Sequence, residues 1–273
     1  MELTSVRPLR VLVAEDNPVN QMFAARLIER QGHTMRVVSN GQLAMDAVRH
    51  EVFDVVLMDL RMPVMDGFEA VRELRQLEQQ TGRHLPVIAM TASGSTFNRD
   101  KCLAVGMDDF VGKPVQAADL ASAMARVLQE SPQICADIET PYCVETESID
   151  APTCDLTAAL KRLGGDLSFL KQLGQLFLDT VPEQLQSLET AMQNRNRKLM
   201  SDLAHSIKGS VRHFFAASAH DFAQRLEVIS MTGDIAVIEQ TYDRLLHEVE
   251  RLCTELRSML FSLREANSNS GIL

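Results

Sequence analysis

The chain has 273 residues, 45% of them hydrophobic and 23% charged, with no Trp and a formal net charge of −10. That length accommodates two domains, each able to bury its own core. No apolar run approaches the roughly 20 residues that span a bilayer, and the acidic balance argues against binding to a nucleic-acid backbone, which depends on clustered Lys and Arg.

The apolar stretch after Arg10 is short and runs at once into acids, unlike a signal peptide, so a cytoplasmic location without membrane insertion is expected. Five cysteines are odd in number and irregularly spaced, which fits reduced thiols better than a disulfide framework or a zinc site. Residues 9–14, 35–38, 55–58, 87–90 and 110–111 read as five strands, with helical patterns between them. Asn17-Pro18 opens the first helix as a cap residue followed by proline at the first helical position. Strands alternating with helices predict an α/β fold, a doubly wound five-stranded parallel sheet covered on both faces. Ligands bind such sheets at the carboxyl ends of the strands.

The polar residues obey that rule. Glu15 and Asp16 follow the first strand, Asp59 closes the third, Thr91 follows the fourth and Lys113 follows the fifth. A lone Asp at a strand end is an ordinary turn residue, and a lone Lys-Pro is an ordinary loop. Five positions converging on one sheet edge are a site. Clustered carboxylates call for a cation, and Mg2+ prefers oxygen ligands with several retained waters. Such an ion would offset charge as a carboxylate attacks a phosphoryl donor. Lys113 and Thr91 would stabilise the phosphoryl oxygens.

Glu15-Asp16-Asn17-Pro18-Val19-Asn20-Gln21, Met58-Asp59-Leu60-Arg61-Met62-Pro63-Val64-Met65-Asp66-Gly67 and Gly112-Lys113-Pro114 resemble the receiver domain of two-component signalling, in the form attached to hybrid sensor kinases. The resemblance implies a flavodoxin-like fold over residues 1–129, Asp59 as phosphoacceptor, and Mg2+ held by Asp16, Asp59 and the Arg61 carbonyl, with Glu15 contributing through water. It further implies Thr91 and Phe110 as a switch pair and a cis Lys113-Pro114 bond. Asp66-Gly67 reads as turn chemistry before the next helix.

Residues 130–152 carry six acids, no base and three prolines, without helical or strand periodicity. They read as a flexible acidic linker, assigned to 130–153.

Beyond it no strand pattern recurs. Leu170, Leu173, Phe177 and Val181 repeat at helical spacing, as do Leu185, Leu188 and Met192. From Ile235, the positions Ile238, Tyr242, Leu245, Val249, Leu252, Leu256, Leu260 and Leu263 alternate steps of three and four, the apolar seam of one long helix. Gly164-Gly165 and Gly233-Asp234 punctuate the segment, so an all-α antiparallel bundle is expected over 154–265, with a disordered tail at 266–273. His205 and Lys208 share a helix face, and Gly209 clears space one turn from the imidazole, at a cost of about 1 kcal/mol relative to Ala. Lys208 would screen phosphate charge, with Arg212 assisting.

Gly165-Asp166, Leu176-Phe177, Pro182-Glu183-Gln184-Leu185, Ala204-His205-Ser206-Ile207-Lys208-Gly209 and Arg225-Leu226-Glu227 resemble the histidine phosphotransfer domain, which implies His205 as a second phosphoacceptor. Arg212-His213-Phe214-Phe215 departs from the small residues usual there, and the two Phe are read as core. His213, His220 and His247 lack the Lys-Gly neighbourhood and read as ordinary histidines.

The two sites together imply a phosphorelay intermediate that is not itself an ATP-using enzyme. An upstream sensor histidine kinase would load Asp59, and a downstream response-regulator receiver would exchange phosphate with His205. A linker of about 20 residues spans roughly 25 Å root-mean-square, which permits exchange within one chain and does not require it. The rival from another class is a phosphorylation-gated binding module or phosphate sink in which His205 carries no flux. A tail of a hybrid kinase is a further rival, against which Met1 closely followed by a full receiver pattern favours a complete protein.

Overall fold

The computed structural model describes residues 7–91, 96–128 and 153–269, with the side chains of 96–99 and 263–269 excepted. The expected linker at 130–152 and its cysteines lie outside the described residues. The chain divides into two compact units, Met1–Glu130 and Ser131–Leu273.

In the first unit the elements alternate: β1 Arg10–Ala14, α1 Pro18–Arg30, β2 Thr34–Val38, α2 Gly41–His50, β3 Val55–Asp59, α3 Gly67–Thr81, β4 Val87–Thr91, α4 Thr96–Val105, β5 Asp109–Gly112 and α5 Ala117–Leu128. The sheet order is β2-β1-β3-β4-β5, all parallel. β3 and β4 are buried at every residue, as a sheet covered on both faces requires. Edge strand β2 alternates exposed and half-buried positions before Val38.

Caps place the first turns. Asn17 accepts hydrogen bonds from the Val19 and Asn20 amides with Pro18 at the first helical position. Asp66 and Glu69 form a reciprocal capping box at the start of α3. Strand order reverses between β1 and β3, so the crevice beyond their carboxyl ends is the switch point where this architecture binds ligands.

The second unit is helical: α6 Leu156–Arg162, α7 Leu167–Gln193, α8 Arg197–Val211, a 3-10 turn Arg212–Phe214, α9 Ala217–Thr232 and α10 Ile235–Asn269. Helices α7 to α10 pack in sequence, and α10 returns against α7 to close a bundle. The seam expected on α10 is its inner face, with Ile238, Tyr242, Leu245, Val249, Leu252 and Leu256 all buried. Gly164 and Gly165 adopt positive φ in the turn between α6 and α7. Helix α10 continues four residues past position 265, through a stretch with no Gly or Pro, and residues 270–273 lie outside the described residues.

The reading of Phe214 and Phe215 as a core pair needs correction. Phe214 is fully buried, edge-on to Phe177 at 5.2 Å between ring centroids. Phe215 has φ 54° and is 37% exposed. The left-handed residue that ends the 3-10 turn swings the second ring out of the bundle.

Among the described residues, no helix is long and apolar enough to cross a membrane.

Candidate functional site

The carboxyl edge of the sheet gathers the residues singled out in the sequence. Asp59 is the last residue of β3, and its side chain is almost fully buried, as is that of Glu15 just beyond β1. Lys113 extends from beyond β5 to place Nζ 2.6 Å from Asp59 Oδ2 and 2.5 Å from Glu15 Oε2. The Lys113-Pro114 peptide is cis. Thr91 closes β4 and is 2% exposed. Phe110 is half-buried against the core beside β4. The Arg61 amide donates to Asp59 Oδ1 at 3.3 Å, so the loop after β3 folds back over the carboxylate.

Glu15, Asp16 and Asp59 each offer a carboxylate oxygen within 4.8 Å of the others. Burial pushes the Glu15 carboxyl up to about 7, the Asp59 charge adding to the effect while Lys113 and Asn20 oppose it. Asp16 is likewise pushed up to about 7, by burial first and then by the charges of Glu15 and Asp59. Burial alone would lower the Lys113 ammonium, but Asp59 and Glu15 hold it above the ordinary lysine range. One ammonium does not neutralise three carboxylates. The donor set is all oxygen, compact and short of positive charge, which fits a small hard cation.

Two contributions escaped the sequence reading. Asn20 Nδ2 donates to Glu15 Oε1 at 2.8 Å, and Gln21 Nε2 donates to the Glu15 carbonyl at 2.5 Å, so the first turn of α1 fixes that acid. Gly67 does more than start α3. A Cβ there would fall well inside contact distance of the Asp59 carbonyl oxygen and 3.1 Å from Leu60 Cα. Both neighbours are backbone and cannot rotate away. Gly67→Ala is therefore expected to displace the end of β3, costing about 1–3 kcal/mol as overpacking does. Denaturant unfolding should show that loss.

In the second unit, His205 lies mid-way along α8 with its side chain 12% exposed. Its Nδ1 is 3.0 Å from Glu227 Oε1, and Lys208 Nζ is 2.5 Å from Glu227 Oε2. One carboxylate of α9 thus bridges the histidine and the lysine. Burial alone would raise the Glu227 carboxyl, but the bond and charge of His205 and the charge and bond of Lys208 bring it down to about 2. An ionised carboxylate only accepts hydrogen bonds, so in the neutral form of the ring Nδ1 carries the proton and Nε2 the lone pair. The Ser201 hydroxyl donates to the Glu227 carbonyl at 3.0 Å and ties the two helices together.

Glu227 had a findable signal: it is an acid on the buried stripe of α9 with Ala219, Ala223, Leu226 and Ser230. An inward-facing charge needs a partner. Among the described residues this helical site has no acid cluster, and its members expected from the sequence, His205, Lys208 and Gly209, share α8. Because Glu227 is depressed from 4.5 to about 2, it stabilises the bundle fully above about pH 4.5, and that contribution is lost as pH falls towards 2. Hydrogen exchange of the α8 and α9 amides should accelerate across that window in the wild-type chain. Glu227→Gln should start less protected and lose less.

The family model for the response regulator receiver domain matches residues 11–125, and that for the Hpt domain matches residues 172–266. The signal transduction histidine-protein kinase BarA of Shigella flexneri is 28% identical over 253 residues, covering 92% of this chain and 27% of that protein. The sensor histidine kinase GacS of Pseudomonas protegens is 26% identical over 263 residues, covering 94% and 28%. The chain thus spans little more than a quarter of the length of these relatives. The receiver domain of the Pseudomonas aeruginosa sensor histidine kinase PA1611, solved with a magnesium ion in its active-site cleft, is 36% identical. It covers 44% of this chain and 98% of that one, with a TM-score of 0.41.

Proposed function

Because the chain joins a response regulator receiver domain to an Hpt domain, we propose that it is a phosphorelay intermediate that takes phosphate on Asp59 and exchanges phosphate with partners through His205. The observation that carries this reading is chemical. One chain holds a lysine-paired aspartate beside a cation-hungry acid cluster and a histidine whose Nδ1 proton is held by a carboxylate. The receiver is assigned to 1–129, the linker to 130–153 and the phosphotransfer bundle to 154–265.

At the first site, an Asp59 oxygen bonds to phosphorus as the donor's phosphorus–nitrogen bond breaks, and the donor imidazole leaves with the electron pair. Lys113 lies against Asp59 and meets the negative charge of the incoming phosphoryl oxygens. Thr91, at the end of the neighbouring strand, donates its hydroxyl to one of those oxygens. Glu15, Asp16, Asp59 and the Arg61 carbonyl would hold Mg2+, which would supply positive charge to offset that of the phosphoryl group. Thr91 and Phe110 carry the change to the face around α4 and β5.

At the second site, His205 Nε2 attacks the phosphorus of an acyl phosphate, and the carboxylate leaves. The ring becomes cationic on phosphorylation, and Glu227 stabilises it without moving a proton. In the reverse direction the ring departs as neutral imidazole, a good leaving group. Lys208 is held at the site by Glu227 and screens the phosphoryl charge. No metal is needed there.

The upstream donor is a sensor histidine kinase, the class of the two curated relatives, and the downstream partner is a response-regulator receiver. ATP enters only through that donor, and the exchange takes place in the cytoplasm. The test is phosphotransfer from candidate kinases to the wild-type, Asp59→Asn and His205→Gln chains, with acid-stable and alkali-stable label counted separately. Phosphohistidine survives alkali and acyl phosphate does not, so the two bonds are told apart in one sample.

A further inference from the structure

A second cationic feature lies on the same helix face as His205, and neither phosphoacceptor accounts for it. Arg162, the last residue of α6, stacks its guanidinium over the Phe215 ring at 4.4 Å. Its Nη1 is buried and has no hydrogen-bond partner among the described residues. Arg212 caps α8 in helical geometry, seven residues beyond His205 and four beyond Lys208. These spacings keep all three on one face. His220 of α9 is 13% exposed and reaches Asp221 Oδ1 at 3.3 Å.

These groups feel one another. Burial first, and then the Arg212 charge, lower Arg162 from its ordinary value. His220 is also lowered, by burial first and further by Arg212 and Lys208, with Asp221 opposing. Helix α6 packs against the 3-10 turn that begins at Arg212, and the fold strips water from a guanidinium nitrogen of Arg162 without supplying an acceptor among the described residues. Burying a charge without a partner is costly, and a like charge beside it adds to the cost. Phe215 bears on the same point. Positive φ is uncommon outside Gly, Asn and Asp, yet here it carries a large ring, and that ring floors the guanidinium. A planar guanidinium stacked on an aromatic face keeps its edge for bidentate oxyanion binding.

We propose that Arg162 and Arg212, floored by Phe215 and flanked by His220, form an oxyanion subsite that receives an acidic side chain of the protein exchanging phosphate with His205. The identity of the occupant rests on the relay reading; the subsite itself does not. A protein that presents a phosphoaspartate to His205 lies along this face of α8. An acidic side chain on its surface beside the docking point meets these guanidinium groups. Charge complementarity of this kind fixes register and partner choice.

The full chain, labelled with 15N at arginine Nε, tests the subsite by titration with inorganic phosphate and with an N-acetyl-glutamate amide, against chloride at matched ionic strength. Saturable shifts of the Arg162 and Arg212 Nε–Hε signals are expected with both oxyanions and not with chloride. Arg162→Gln should abolish saturation at Arg212. Arg162→Lys keeps the charge and the bundle, and should weaken binding by about tenfold as the fork geometry is lost. Shifts that only track ionic strength, or that persist in Arg162→Gln, would overturn the subsite. Saturation by phosphate with no response to the carboxylate would overturn the acidic side chain as occupant and assign the site to free phosphate. Labelling of His205 in the wild-type chain by phosphoramidate checks the underlying relay reading separately. Failure there leaves the anion titration standing.

Discussion

Asp59→Asn is expected to abolish phosphate uptake at the receiver, with a fall of roughly 10⁴-fold or more in the rate of acyl phosphate formation, the scale seen when a nucleophile is removed. Asparagine nearly matches aspartate in shape and keeps one oxygen, enough for either the Arg61 amide or Lys113, which bond to different oxygens of Asp59. It lacks the anionic oxygen that bonds to phosphorus and removes one acid from the cation cluster. Lys113 retains Glu15 at 2.5 Å, so the carboxyl edge keeps an ion pair and the domain should remain folded. The discriminating observation is the bond type. Alkali-labile label should vanish, while phosphoramidate should still place alkali-stable label on His205. Persistent alkali-labile label in the variant would move the phosphoacceptor elsewhere.

His205→Gln should produce the complementary loss. Uptake at Asp59 should match wild type, because the histidine lies in the other unit and contributes nothing to the acid cluster. Alkali-stable label should fall below detection, and delivery to a downstream receiver should drop by a similar factor of roughly 10⁴. Glutamine can donate to Glu227, so the bridge to Lys208 has a means of surviving and the bundle should not collapse for want of a partner to a buried acid. That conserved packing is why Gln is a better probe here than Ala, which would leave the carboxylate short of one donor.

The sheet and its edge were legible because each signal was local. Asn17-Pro18 announced the start of α1 through cap chemistry, and the uninterrupted apolar run before Asp59 announced a strand buried on both faces. Once strands and helices alternate, topology alone gathers strand ends into one crevice, so Glu15, Asp16, Asp59, Thr91 and Lys113 needed no contact information. The α10 seam was legible for the same reason, its three-and-four spacing being a property of one helix.

What escaped depended on pairs distant in sequence. Glu227 lies 22 residues from His205, and nothing in its immediate neighbours says which helix its carboxylate faces. Gly67 looked like turn chemistry because glycine after Asp commonly is. Its closeness to the Asp59 backbone exists only after β3 and α3 pack. Phe215 misled because a Phe-Phe pair in a bundle sequence reads as core, whereas one left-handed residue sends the two rings in different directions. Arg162 and Phe215 come from different helical segments, and the stacking of one on the other is a tertiary fact.

The central claim is that phosphate passes through His205, and delivery tests it most directly. The chain is charged by a donor kinase, separated from donor and ATP, and mixed with a purified receiver that accepts label from the wild type. Relay predicts that wild type transfers its label, that His205→Gln stays labelled on Asp59 and transfers none, and that Asp59→Asn transfers only what phosphoramidate places on His205. Undiminished transfer from His205→Gln would contradict the relay and leave the bundle as a docking module.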